Sequence, residues 1–346
     1  VNVALPPFPA TGVGSLPHAD PAKAARLVLS CFHDVPCWPQ LPRRTFLESM
    51  YVQYAAGLPG ASIEGDRLYV EGGEEAQGAT EAFYERFLSG DAAPFAIPAE
   101  RAAGLYALLS AADGAYPAVK GQVTGPVSFG LTVTDRRKKP IFYDPVVRDV
   151  LVKHLLRVAQ WQVSELSRLS DTVILVLDEP YLASVGSAIV SLDREEVVGC
   201  LNEIFDGLPG ALCGIHCCAN TDWGLVLSSR AGYLSFDAYE YADSLLLYPE
   251  EVGAFLRRGG KLAFGIVPTS SAGILRETPE TLAARMDSLL GKFESRGIPR
   301  DAVVRAAFLT PACGLGTLRE EEAEGAARLA GDLSRLLRHR YGGAGK

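Results

Sequence analysis

The sequence predicts an α/β fold, a single closed (β/α)8 TIM barrel, on three observations. Short β-rich apolar runs alternate with longer helical stretches from end to end, as parallel strands joined by crossover helices do. About eight such strand signals are spread over 346 residues with no low-complexity linker, which favours one barrel over an open doubly wound sheet. The carboxylates, the histidine and the cysteines with chemical potential fall at the C-terminal ends of those runs, where barrel enzymes gather their chemistry. One catalytic barrel domain is therefore expected over 1–346, with 342–346 as a flexible tail.

The elements follow in order. Asp20-Pro21, Asp144-Pro145 and Thr278-Pro279 each place a capping side chain before a proline at the first helical position. Residues 61–80, with their glycines and the short run RLYV, read as a small insertion, a hairpin or loop on the barrel rim. After Asp144, Val147, Leu151, Leu155 and Val158 share one helical face wide enough to cover a sheet. The clearest strands are TVILVLDEP (172–180), ALCGIHCC (211–218), GYLSFDAYE (232–240), KLAFGIVP (261–268) and VVRAAFLTPAC (303–313), apolar enough to be buried on both faces. Gly259-Gly260 stops a helix just before the fourth of these.

Composition removes whole classes of function. A net charge of -8 argues against a nucleic-acid partner, because such binding rests on Lys and Arg neutralising phosphates. No apolar run reaches the roughly 20 residues of a membrane helix, and VNVALPPFPATG has neither the charged nor the apolar region of a signal peptide, so a soluble cytoplasmic protein is expected, with no membrane partner. The 7 cysteines, scattered and odd in number, suit reduced thiols better than a disulfide framework.

In an extended segment alternate side chains share a face, so His216 and Cys218 can grip one ion while Cys217 points away. Cys313 brings a second thiolate from another strand end, and Glu240 a carboxylate from a third. One imidazole, two thiolates and one carboxylate form a soft set suited to Zn2+ rather than Mg2+ or Ca2+. A carboxylate that yields its place would let a substrate thiol enter as thiolate. Cys31, Cys37, Cys200, Cys213 and Cys217 read instead as small buried hydrophobes.

GVGSLP, VTGPVSF, VLDEP, GIHCC, a glutamate shortly after, and TPACGLG stand in register from about residue 11 to 318. Together they resemble the catalytic C-terminal barrel of cobalamin-independent methionine synthase. The resemblance implies zinc ligands at His216, Cys218, Glu240 and Cys313, with Glu240 the ligand that yields during catalysis. It also implies that Asp178 binds the ammonium of homocysteine and that the Val13–Ser15 turn holds its carboxylate through Ser15. A second amine-binding glutamate is expected, with Glu48 the first candidate and Glu64 the second.

Three departures bear on the methyl donor. The long members carry a duplicated N-terminal barrel for which this chain has no room; their pterin-stacking tryptophan corresponds to about Thr132; and their D-x-H-S segment is replaced by GIVPTS, 265–270, without histidine. These point to methylcobalamin or a corrinoid protein as donor rather than methyl-tetrahydrofolate. Two other readings compete: a related zinc methyltransferase acting on coenzyme M, and a metal-free lyase like uroporphyrinogen decarboxylase, for which Arg43 and Arg44 would be the substrate-binding cluster. A non-enzymatic corrinoid or zinc carrier is a further alternative. No role follows from the sequence for His18.

Overall fold

The computed structural model describes residues 5–186, 190 and 192–342. An antiparallel hairpin, β1 (Ala61–Glu64) and β2 (Arg67–Val70), precedes six parallel strands: β3 (Val119–Thr124), β4 (Val173–Asp178), β5 (Leu212–Cys217), β6 (Tyr233–Phe236), β7 (Lys261–Val267) and β8 (Ala307–Pro311). The six pair strictly in chain order, so each crossover returns beside its own strand.

Both edges of this sheet are met by N-terminal chain. Ala10 bridges Leu309 of β8, Cys37 bridges Lys120 of β3, and Ser15 pairs with Gln40 between the two segments, all in parallel. Backbone bonds reinforce the links: Thr11 N–H to the Leu309 carbonyl at 3.0 Å, Leu16 N–H to Gln40 at 2.8 Å, and Lys120 N–H to Pro36 at 2.9 Å. Eight regular strands were expected; among the described residues six form the parallel sheet, and the N-terminal segments contribute isolated bridges. The reason lies in their prolines. Pro6, Pro7, Pro9 and Pro17 in one segment and Pro36, Pro39 and Pro42 in the other have no N–H to extend a ladder.

Strand alternation sorts side chains between two apolar bodies. Ile174, Val176, Leu212, Tyr233, Ala263 and Phe308 pack together inside the curled sheet with Val35 and Ala118. Their neighbours Leu175, Leu177, Cys213, Ile215, Cys217, Leu234 and Phe236 face the surrounding helices.

The expected helix starts are present. Asp20 caps the helix Pro21–Cys31, Asp144 accepts from Val146 and Val147 at the head of Pro145–Leu166, and Thr278 caps Pro279–Ser295. Val147, Leu151, Leu155 and Val158 are all buried. Gly259, at φ 89, follows the end of the helix Pro249–Arg257. Residues 61–80 are the hairpin, a short 3-10 turn and the start of the helix Gln77–Leu88. One boundary moves: 303–306, expected in the last strand, close the helix Arg300–Ala306, because the apolar run is shared between a helix end and a strand start. Apart from Gly342, the tail expected at 342–346 lies outside the described residues. Among the described residues no helix is long and apolar enough to cross a membrane.

Candidate metal and active site

Leu212 belongs to the interior cluster and Cys213, Ile215 and Cys217 to the outer one, so His216 at the end of β5 faces inward. Cys218 follows it, and Cys313 lies two residues beyond the end of β8. Ligand atoms of His216, Cys218 and Cys313 come within 4.8 Å of one another, close enough to share one ion. The imidazole Nδ1 is held by the Ser235 hydroxyl of β6 at 2.9 Å, while buried Nε2 has no hydrogen-bond partner. Metal-bound histidines show this division, one nitrogen fixed by a neighbour and the other left for the cation. Cys218 and Cys313 act on each other: their interaction raises the pKa of Cys218 and, with His216 adding to it, lowers that of Cys313. The three donors fit a soft ion.

Glu240 is not among the donors gathered within 4.8 Å of one another. It is exposed, and what fixes its turn is Asp237 Oδ1, which accepts the backbone N–H groups of Tyr239 and Glu240, each at 2.9 Å. Asp178 pairs in register with His216 and with Thr124 of β3. Burial pushes its carboxyl up to about 6, His216 and Lys120 pull it down, and Cys313 pushes it up again. Its Oδ1 is buried with no partner.

Ser15 reaches the same region from the N-terminal segment. Its carbonyl accepts the Leu315 N–H at 2.9 Å, its hydroxyl accepts the Gly316 N–H at 3.3 Å, and a Cβ on Gly314 would stand 2.2 Å from that hydroxyl. Glycine at 314 is therefore what lets the V-G-S turn sit beside Cys313. Glu48 is buried and ion-paired with Arg44, its Oε2 unpartnered and its carboxyl raised by burial. The chain just beyond it packs on the end of β3, where Thr124 donates to the Met50 carbonyl at 2.6 Å. Glu64 is exposed on the hairpin and paired with Arg136. Arg43 donates to the Thr317 carbonyl at 2.7 Å, so Arg43 and Arg44 are both engaged in the protein's own structure.

With this geometry in hand, comparison with solved structures gives a likeness that bears on the fold. A B12-independent methionine synthase from a Shewanella species, in complex with selenomethionine, superposes with a TM-score of 0.60 over 96% of this chain and 98% of that one, at 15% identity. The shared property is the fold. GH5_18 from Streptomyces cattleya in complex with GlcNAc gives a TM-score of 0.48 at 12% identity, over 96% of this chain and 81% of that one, too slight to support an argument. No family profile matches the chain. A comparison with curated proteins found none similar to it.

Several residues around the site were given no role by the sequence reading. Ser235 carried no motif, only an inward strand position two residues after Tyr233. Glu179 is fully buried and binds the N–H groups of Val127 and Ser128 at 2.9 and 2.7 Å and the Ser128 hydroxyl at 2.6 Å, capping the helix Pro126–Thr132 behind the T-G-P turn. Burial raises this carboxyl to about 7. Lys120, fully buried on β3, donates to the Val13 carbonyl at 2.7 Å and to Gln122 at 3.1 Å, tying the V-G-S turn to the sheet. A lysine and a glutamine alternating inside a strand were a signal available in VKGQVT. The cysteines read as packing residues behave so: burial pushes Cys213 up to about 12 and Cys200 and Cys217 up to about 11, which keeps them as inert thiols.

Proposed function

We propose that this chain is a single (β/α)8 barrel and a zinc-dependent methyltransferase that methylates the thiol of homocysteine. The observation that carries the reading is the meeting of His216, Cys218 and Cys313 at two strand ends, with Nε2 of His216 unpartnered and Nδ1 fixed by Ser235. Zinc held by these residues would make an acceptor thiol nucleophilic at neutral pH by favouring loss of its proton. Glu240 is proposed as the fourth, yielding ligand, its exposed position suiting a carboxylate that enters and leaves.

The remaining residues bind and orient. Asp178 offers a buried carboxylate oxygen without a partner, which an ammonium group would satisfy; coenzyme M has no such group, so this oxygen favours homocysteine. Ser15, against the Cys313–Gly316 turn, is proposed to hold the substrate carboxylate, and Glu48 to assist with the amine. Methyl-corrinoid is the proposed donor. Such a donor would pass its methyl to the acceptor sulfur and keep the cobalt–carbon bonding pair, so that no acid would be required. That agrees with β7 running into Pro268 and Ser270, which caps the next short helix, where a proton-handling histidine would otherwise be sought.

The test combines metal analysis with a donor and acceptor panel. One zinc per chain, with methionine formed from homocysteine and methylcobalamin, is the expected result. Turnover with methyl-tetrahydrofolate alone would overturn the donor, turnover with coenzyme M but not homocysteine the acceptor, and absence of zinc the whole reading.

A further inference from the structure

A second cluster of metal-ligating side chains lies where the loop after Ser15 meets the first turns of the helix Glu320–Tyr341. Ligand atoms of His18, Glu320 and Glu324 stand within 4.8 Å of one another. Acidic residues at a helix N-terminus are ordinary, since they complement its dipole. The histidine is not ordinary. His18 is fully buried, both ring nitrogens lack a hydrogen-bond partner, and Nε2 points at Glu324 Oε1 from 3.6 Å, beyond hydrogen-bond range. An imidazole with neither nitrogen hydrogen-bonded costs free energy, and a cation on Nε2, shared with the Glu324 carboxylate, would recover the part that falls on that nitrogen. On the solvent side Lys23 places its ammonium 2.9 Å from each carboxylate, and Arg328 binds the other oxygen of Glu324 at 2.8 Å, which shows that the pair already forms a seat for positive charge. That lysine is half exposed, and such surface pairs are weak and exchangeable.

The platform is carried by two packed helices. Lys23 lies on the helix Pro21–Cys31, which packs against Glu320–Tyr341; Ala24 and Val28 of the first helix and Ala323 and Ala327 of the second are buried. At the far end Gly331 admits the Cys31 carbonyl, 2.7 Å from where a Cβ would stand.

We propose that His18, Glu320 and Glu324 form a second divalent-cation site, taking a borderline ion such as Zn2+ or Mn2+ through one imidazole nitrogen and two carboxylate oxygens, with Lys23 as its resident competitor. One nitrogen and two oxygens without sulfur distinguish this site from the thiolate cluster, and water or another oxygen ligand completes the shell. The site is independent of the proposed methyl transfer.

The two sites are separated by loading metal-stripped protein with Co2+ and following absorbance together with metal stoichiometry. Thiolate-to-cobalt charge transfer can arise only from the cysteine cluster. The expected result is two ions per chain, with one remaining, free of the charge-transfer band, in a Cys218→Ser/Cys313→Ser variant. That remaining ion is lost in His18→Gln and, should the buried histidine be needed for folding, equally in Glu324→Gln, whose side chain is partly exposed. Lys23→Gln, which removes the competitor, should bind the second ion roughly fivefold more tightly. A cysteine variant that binds no cobalt, or a folded Glu324→Gln protein that keeps both ions, would overturn the assignment. Failure at the cysteine cluster alone would leave cobalt bound without the band and would count only against the methyltransferase reading.

Discussion

The two parts of the chain around the site are built differently. From β3 to β8 the chain is held by continuous parallel ladders and by apolar residues alternating between an inner and an outer core. The segments around Ala10–Leu16 and Pro36–Gln40, poor in strand hydrogen bonds, depend on buried polar side chains. Lys120 holds Val13; Gln40 donates to Gln53 and to the Tyr54 hydroxyl, each at 2.9 Å; Tyr54 donates to the Gln122 carbonyl at 2.7 Å; and His154 Nε2 meets the Tyr54 carbonyl at 2.8 Å. Hydrophobic burial is tolerant of direction, whereas buried hydrogen bonds must all be made. The ladder side should therefore be robust and carry the metal ligands, and the N-terminal side should be sensitive to charge and pH while it shapes the substrate end.

The largest effect is expected where the ladder side meets the metal. Cys313→Ser should lose zinc and reduce methyl transfer by on the order of a hundredfold or more with little change in the unfolding midpoint, read by metal analysis and turnover. Next comes acid sensitivity on the polar side. Burial pushes His154 down to about 4, so between its unfolded value near 6.5 and that pH the unfolded chain binds more protons than the folded one. Its contribution, up to about 3 kcal/mol, is present above pH 6.5 and is lost as pH falls towards 4. His154→Gln, which keeps a donor for the Tyr54 carbonyl, should flatten that limb in denaturant titrations at several pH values.

Lys120→Met should cost about 2 kcal/mol of stability in urea unfolding by stranding the Val13 carbonyl and Gln122, and should weaken homocysteine binding more than zinc binding. If zinc were lost instead, the two sides would not be separable in the way described. Ser235→Ala is the mildest change, a loss of about tenfold in zinc affinity from a freed imidazole with the fold intact. Competition with a chelator would measure it.

Much of the site was legible because its strands are regular. An inward residue at i implies another at i+2, so His216 and Cys218 could be paired on paper, and TPAC placed Cys313 at a strand end. Capping was equally local: Asp20, Asp144 and Thr278 act within their own turns. The N-terminal half was less legible. Its segments carry prolines that suppress ladders, and its contacts run between side chains distant in sequence, such as Lys120 with Val13 and Trp38 with Gln162. Glu48 could be named as a candidate amine-binding glutamate through the resemblance, but its burial and its pairing with Arg44 depend on the turn between them.

By itself the sequence determined the α/β alternation, the helix starts and the inward positions along each strand, which follow from local backbone periodicity, and it named His216, Cys218, Glu240 and Cys313 as candidate donors from their side-chain chemistry. Only the tertiary structure decided that Glu240 stands exposed and outside the group formed by the other three, that Ser235 steadies His216, and that His18 faces Glu320 and Glu324. Those relations depend on the loops and the lateral register of separate strands, and a one-dimensional pattern carries no measure of distance between them.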